Sequence, residues 1–274
     1  MARTFVIGDI HGAAKALDQV LERAGFDFVN DTLISVGDVA DGWPEVPQAI
    51  ELLLSIKNLI YLRGNHDEWA AKFLEVATDS LEYDSWMYHG GAATKKAYLE
   101  SPGLHLRDKH IEFLKSADLY YLDDQNRLFM HAGFFPRQDQ NPTLWNICRT
   151  NDFEPDDLHQ LANVSPESFF WDREFWSGMY QGRNYAKHFH EVYIGHTPTL
   201  NYPQNDGSQF LPMQRQNVWN MDTGCCYTGP LSLMDIDTKE IYQSDMVLTL
   251  YPDHPGRNNE PWAKISKTVN KDEE

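Results

Sequence analysis

Five short apolar runs in this chain each stop at a small cluster of Gly, Asp, Asn and His. Phe5-Val6-Ile7 meets Gly8-Asp9-Ile10-His11-Gly12, and Leu33-Ile34-Ser35-Val36 meets Gly37-Asp38-Val39-Ala40-Asp41. Leu59-Ile60-Tyr61-Leu62 meets Arg63-Gly64-Asn65-His66-Asp67. Leu128-Phe129-Met130 meets His131-Ala132-Gly133, and Val192-Tyr193-Ile194 meets Gly195-His196-Thr197. Near-continuous apolar runs read as strands buried on both faces. Helical periodicity separates the first three runs, over about 13–24 and 45–55, with Pro44 near the start of the second helix. Strand–helix–strand–helix–strand implies a largely parallel sheet.

In open α/β sheets, ligands bind beyond the carboxyl ends of the strands. Asp9, His11, Asp38, Asn65, His131 and His196 should therefore converge, although the sequence scatters them widely. A lone Gly-Asp is usually a turn, and a lone His after a strand is usually a hydrogen-bonded structural residue. Five such clusters, each with a ligand-type residue, are not explained by turn chemistry. Two carboxylates, an amide oxygen and three imidazoles exceed what one ion needs. Two ions sharing a carboxylate use them all. Mixed N/O donors without thiolate suit Mn, Fe, Zn or Ni.

The rest of the chain narrows the setting. With 274 residues and 42% AVILMFWYC, one sizeable core is expected. Residues 1–252 read as one catalytic domain and 253–274 as an irregular tail. Lys+Arg is 23 against Asp+Glu 41, a net charge of −18. That field opposes nucleic-acid phosphates and anionic membranes, so neither is expected as a partner. Cys148, Cys225 and Cys226 give an odd count with no C-x-x-C, which excludes a disulfide framework and a Cys-type zinc site. No apolar run reaches 18 residues and no signal peptide is visible, so a cytoplasmic location is expected. The segment 67–117 reads as helical. Runs near 218–222, 231–235 and 240–243 read as antiparallel strands joined by turns.

The five ordered clusters resemble the motifs of the calcineurin-like metallophosphoesterases. The likeness spans residues 5 to about 240. It is strongest to the phosphoprotein phosphatase branch, which holds bacterial and phage serine/threonine protein phosphatases and symmetrical diadenosine tetraphosphatases. Trp86-Met87-Tyr88-His89-Gly90-Gly91-Ala92-Ala93-Thr94, Trp171-Asp172-Arg173-Glu174 and Asn220-Met221-Asp222-Thr223-Gly224 are similar to further segments of that branch. The resemblance implies an α/β four-layer sandwich, two central mixed β-sheets flanked by helices.

It also implies roles. Asp9 and His11 would bind a first ion, Asp38 would bridge, and Asn65, His131 and His196 would bind a second. The pair of divalent ions, Mn2+ first with Fe, Zn or Ni as alternatives, would supply a bridging hydroxide as nucleophile. His66 would be the general acid, oriented by Asp41. Arg173 and Asn65 would hold substrate phosphate. Arg63 is a further candidate, with a structural role as its alternative.

One departure stands out. The family's second motif usually places Arg-Gly after the second Asp, as a phosphate-binding group. Here Asp41 is followed by Gly42-Trp43. Asp67 reads as a favourable first-turn helix acid, Asp222 as a turn or supporting residue, and His89 as structural. The leading expectation is a serine/threonine protein phosphatase. The alternatives are a dinucleoside tetraphosphatase and a non-catalytic binding module on the same fold.

Overall fold

A computed structural model of the chain describes residues 2–76, 78–99, 103–135, 164–202 and 208–258. Cys148, much of the aromatic-rich stretch after Phe135, and the tail from residue 259 lie outside the described residues. No helix among the described residues is long and apolar enough to cross a membrane.

The first sheet starts with β1 (Thr4–Ile7), β2 (Thr32–Ser35) and β3 (Asn58–Tyr61), all mutually parallel. Helices α1 (Ala14–Arg23) and α2 (Val46–Leu54) make the crossovers. α1 buries Ala16, Leu17, Val20 and Leu21, a single stripe at helical spacing. Pro47 starts α2 at a position where the missing N–H costs nothing.

After β3 come α3 (Asn65–Glu75), α4 (Leu81–Trp86), a π turn at Met87–Gly91, α5 (Ala92–Leu99) and α6 (Gly103–Ser116). The second sheet holds β4 (Tyr120–Leu122), β5 (Arg127–Met130), β6 (Glu191–Ile194), β7 (Met213–Arg215) and β8 (Val218–Asn220). Helices α7 (Pro166–Trp171) and α8 (Glu174–Tyr180) lie between β5 and β6 in the chain. The chain then returns to the first sheet as β9 (Ser232–Asp235) and β10 (Ile241–Gln243), followed by α9 (Val247–Leu250). The strand orders are β10-β9-β1-β2-β3 and β4-β5-β6-β8-β7.

This corrects one reading of the sequence. The runs at 218–220 and 231–235 do not pair with each other. β8 lies parallel to β6, and β9 lies antiparallel to β1 in the other sheet. The turn residues between them, Thr223 to Gly229, carry the chain from one sheet to the other.

The period-two alternation of the strands makes the layers. Phe5 and Ile7 face the helices on the outside of the first sheet, and Val6 faces inward. Leu128 and Met130 face the outside of the second sheet, and Phe129 faces inward. The inward residues form a thin shared core of Val6, Ile34, Val36, Phe129, Tyr193, Met221 and Met234. At its centre the Phe129 and Tyr193 rings stack at 4.8 Å. Helix, sheet, sheet, helix is the expected four-layer sandwich.

Asp67 does more than favour the start of α3. Its carboxylate is fully buried and accepts N–H bonds from Asp38 (2.8 Å), Val39 (3.0 Å), Ala40 (3.2 Å) and Gly64 (2.9 Å). The Tyr61 hydroxyl donates to it as well, at 2.7 Å. It thus joins the turn after β2 to the turn after β3. Burial, then the nearby Asp38 charge, pushes its carboxyl up to about 7. Each buried donor left without an acceptor costs about 1–3 kcal/mol. Asp67→Ala should therefore destabilise the protein by more than about 3 kcal/mol. Urea unfolding with an unchanged m-value checks this, and a loss below about 1 kcal/mol contradicts it.

Candidate active site

The five clusters do meet, at the carboxyl ends of β1, β2, β3, β5 and β6. The backbone there is strained. Among the described residues, seven non-glycine residues have positive φ, and four of them are His11 (51°), Asp38 (55°), Asp41 (69°) and His196 (67°). Such conformations cost about 1–3 kcal/mol each and persist only where the surroundings enforce them. The neighbouring glycines have a separate reason. A Cβ on Gly64 would collide with Asp38 Oδ1, and one on Gly195 with Asp9 Oδ1. These glycines let the carboxylates lie against backbone.

Asp38 is central. His11 Nε2 lies 3.8 Å from its Oδ2, and His131 Nε2 lies 3.3 Å from the same oxygen. Asp9 Oδ2 is 3.9 Å from His11 Nε2 and accepts the His196 N–H at 3.0 Å. Asn65 Oδ1 is 3.1 Å from His131 Nε2 and 2.8 Å from His196 Nδ1. The donor atoms fall into two sets, each within 4.8 Å: His11, Asp38 and His66, and Asp38, His131 and His196. All are buried.

This donor set fits divalent cations. Asp9 Oδ1 and His196 Nε2 are buried with no hydrogen-bond partner, which is costly unless something else coordinates them. Two imidazoles have their other nitrogen fixed. His11 Nδ1 donates to the carbonyls of Ala40 and Asp41, both at 3.0 Å, and His131 Nδ1 donates to Val36 O at 2.9 Å. The Nε2 lone pairs therefore face the carboxylates, in the tautomer a metal ligand needs.

Electrostatics agree with crowded acids. Burial, then Asp222 and Asp38, pushes Asp9 well above the usual carboxylate range. Burial works against the Asp38 charge too, yet His131 and His66 hold it well below that range. Burial lowers His11 to about 3 and takes His196 well below its ordinary value. Burial works to lower His131, yet it rises, because the charge and hydrogen bond of Asp38 and the Val36 carbonyl together outweigh that burial. Asp222, pushed up to about 6 by burial, adds another acid to the wall.

His66 and Asp41 form a pair beside this cluster. His66 Nδ1 is 2.7 Å from Asp41 Oδ2. Asp41 in turn accepts from Trp86 Nε1 (3.0 Å to each oxygen) and Thr94 Oγ1 (2.7 Å). The Trp86–Thr94 segment noted in the sequence is thus the clamp on Asp41. Burial pushes Asp41 up to about 8 against those two hydrogen bonds. Burial, then the Arg257 charge, lowers His66 to about 3.

A cavity of about 510 Å³ opens over these residues. Its walls include Trp69, His89, Trp171, Tyr202 and Tyr227, with Arg173 and Arg257 also lining it. Arg173 is seated by bonds from Nη1 to His196 O (3.2 Å) and Thr197 Oγ1 (3.1 Å). The structure does not bring Arg63 to the cavity. Its guanidinium binds Glu68 at 3.0 Å and the carbonyls of Lys115 and Ala117, so its structural alternative is the one its contacts describe.

Sequence reasoning missed three participants. His89 lines the cavity from the kink within Met87–Gly91, where His89 and Gly90 leave helical φ/ψ, next to Trp69 with ring centroids 6.2 Å apart. Asp67 is a buried tie, and only its place after Asn65-His66 could have signalled that. Arg257 arrives from the presumed tail, and no local pattern marks it.

Comparison with known proteins places this geometry. Residues 2–210 match the model of the calcineurin-like phosphoesterases. A symmetrical bis(5'-nucleosyl)-tetraphosphatase of Pseudomonas fluorescens SBW25 is 24% identical over 276 residues, covering 87% of this chain and 93% of that protein. Serine/threonine-protein phosphatase 1 of Salmonella typhimurium LT2 is 27% identical over 233 residues, covering 85% and 91%. In fold, the chain is similar to a solved putative diadenosine tetraphosphatase, with a TM-score of 0.56, 17% identity and coverage of 88% of this chain and 92% of the other, and to a solved protein serine/threonine phosphatase from Saccharomyces cerevisiae, with a TM-score of 0.55. That match has 14% identity and covers 93% of this chain and 83% of the other. With its motifs gathered on this fold, the chain belongs to the calcineurin-like phosphoesterase family.

Proposed function

We propose that this phosphoesterase cleaves dinucleoside polyphosphates at its cation-binding cluster, with His66 as general acid. The supporting observation is the cavity wall. Trp171, Tyr202 and Tyr227 line the same space as Arg173 and the ligand cluster. An aromatic wall gives a nucleobase a stacking surface, worth about 1–3 kcal/mol per base. The arginine suits a chain of phosphates, since its planar fork matches phosphate oxygens. A phosphoserine side chain needs the arginine but not the rings. The sequence favoured a protein phosphatase, and the similarity to the Salmonella enzyme keeps that as the second reading. The tetraphosphatase relative supports the first.

In this reading Asp9 and His11 would hold one divalent ion, Asn65, His131 and His196 would hold another, and Asp38 would be shared between the two sets. When bound, such a pair neutralises phosphoryl oxygens and acidifies a water. The protein's own groups manage the rest. Hydrolysis adds the oxygen of one water to phosphorus, breaks the bond to the leaving oxygen, and delivers a proton to that oxygen. His66 Nε2 faces the cavity while Asp41 holds Nδ1, so the ring can give a proton from a fixed orientation. Trp86 and Thr94 keep Asp41 from turning away. Arg173 positions a phosphate beside His196.

Three outcomes are expected. At matched enzyme and with Mn2+, diadenosine tetraphosphate should be cleaved with a higher kcat/KM than a phosphoserine peptide. The reverse order favours the protein phosphatase, and no turnover of either or of p-nitrophenyl phosphate revives the binding module. His66→Asn should lower kcat by about 10²–10⁴ on alkyl phosphates and by less on p-nitrophenyl phosphate, whose leaving group needs no proton. Equal losses on both sink the general-acid role. Mn2+ added to chelator-treated protein should raise Tm, because an ion held only by the folded chain stabilises it by mass action. Asp38→Asn should abolish most of that rise. A full rise in this variant would remove Asp38 from the cation site.

A further inference from the structure

The segment His254-Pro255-Gly256-Arg257-Asn258 is fastened across the site. The Arg257 N–H donates to Cys226 O at 3.1 Å. Asn258 Nδ2 donates to Tyr227 O at 2.6 Å and to Pro255 O at 2.9 Å. Gly256 has φ +55°, and a Cβ there would come within 2.7 Å of the Trp43 ring. Trp43 is itself fully buried, stacked on Tyr251 at 4.9 Å, and its Nε1 donates to Cys225 O at 2.7 Å. Trp43 is thus the seat of this strap.

The strap delivers one side chain to the chemistry. Arg257 is 8% exposed, lines the cavity, and crosses the Tyr227 ring at 5.2 Å. Its Nη1 donates to His66 Nε2 at 3.0 Å. The stem runs beside Gly42, where a Cβ would lie 3.7 Å from Arg257 Cγ. Gly42 has φ +112°, a conformation closed to arginine, and its own Cβ would press on His11 at 3.3–3.4 Å. The Gly42-Trp43 pair that departs from the family motif therefore has two local effects. Gly42 leaves a lane for a side chain, and Trp43 holds the segment that fills it.

We propose that Arg257 is a substrate-binding residue that grips a phosphoryl group from the His66 side of the cavity, delivered by the C-terminal strap. The inference rests on the phosphoesterase reading. Arg257 shares the cavity with Arg173, which is seated on His196. A phosphate among the ligand cluster, His66 and His196 lies between the two arginines. The N–H that reaches the neutral His66 Nε2 binds an anionic phosphate oxygen more strongly, since the opposite charge adds attraction and phosphate can accept the guanidinium fork at two oxygens, which one imidazole nitrogen cannot. Substrate binding then draws the guanidinium off Nε2, and the uncovered nitrogen takes up a proton from solvent, which it gives to the leaving oxygen.

The test uses the full-length protein with Mn2+, p-nitrophenyl phosphate as substrate and inorganic phosphate as competitive inhibitor. Arg257→Gln should raise the phosphate inhibition constant and the KM by about 10-fold to 100-fold, the range a charged hydrogen bond carries. Arg257→Lys, which keeps charge but loses the fork, should fall between Gln and wild type. Free guanidinium ion should restore part of the phosphate affinity of Arg257→Ala. An unchanged inhibition constant in a folded, active Arg257→Gln protein overturns the inference, as does a higher kcat with unchanged phosphate affinity, which would make Arg257 a restraint on His66. If Arg257→Gln does not fold, Arg257→Lys decides alone: wild-type affinity overturns the inference. A wild-type protein that neither turns over substrate nor binds phosphate defeats the phosphoesterase reading and the inference with it.

Discussion

A single buried carboxylate, Asp38, ties the active-site loops together. Its carbonyl oxygen accepts the N–H groups of Ile10 (3.0 Å) and His11 (2.8 Å), which fixes the turn after β1. Its own N–H goes to Asp67, and its Oδ1 takes the His66 N–H at 2.9 Å. That leaves Oδ2 facing His11 and His131. Backbone bonds hold the side chain in place, and one oxygen remains for chemistry. The left-handed backbone at Asp38 is the cost of pointing this residue both ways. A charge so deeply buried needs compensation, and imidazoles with fixed lone pairs cannot supply it all. A cation can.

The two sheets give this arrangement its precision. Asp9, Asp38 and Asn65 follow strands of one sheet, and His131 and His196 follow strands of the other. Their relative position depends on how the sheets pack, through the thin layer around Phe129, Tyr193, Val6 and Met234. Direct ties reinforce it. The His131 ring donates to Val36 O, and the His196 N–H reaches Asp9, so each second-sheet histidine is bound to a first-sheet loop. A shift of one sheet against the other would break these bonds and separate the ligands together.

The convergence of the candidate ligands was legible in the sequence because its logic is local. Each ligand follows a strand, and strands of parallel sheets end on one side. His66 and Asp41 were legible through resemblance, and Trp86 and Thr94 through a segment whose purpose only the structure supplies. The rest depends on long-range contact. Asp67 looks like any first-turn acid until its five donors are counted. Arg63 sits beside a site motif, yet its side chain leaves for α3 and the end of α6. The pairing of 218–220 could not be read because a short apolar run fits either sheet equally well. Arg257 lies 191 residues from the histidine it touches, in a stretch whose composition reads as an irregular tail.

The division of labour along the chain follows from this. Every proposed metal ligand, His66 and Asp41 lie within residues 2–210, the part matched to the family. Tyr227 and Arg257 lie beyond it, as do β7 to β10. Those later strands extend both sheets, so the C-terminal part cannot detach without exposing the edge of β1 and of β6. The proposed cation-binding and acid groups therefore belong to the matched part, together with Trp171, Arg173 and Tyr202 of the cavity wall, while Tyr227 and Arg257 come from the part that completes the sheets. An arginine carried on that part is free to differ from one on the β2 loop. It reaches His66 Nε2 past Gly42, and it lies over the Tyr227 ring. On the proposed reading, a ligand held there would meet the strap and the aromatic wall at once, while bond cleavage would stay with the candidate metal ligands, His66 and Asp41.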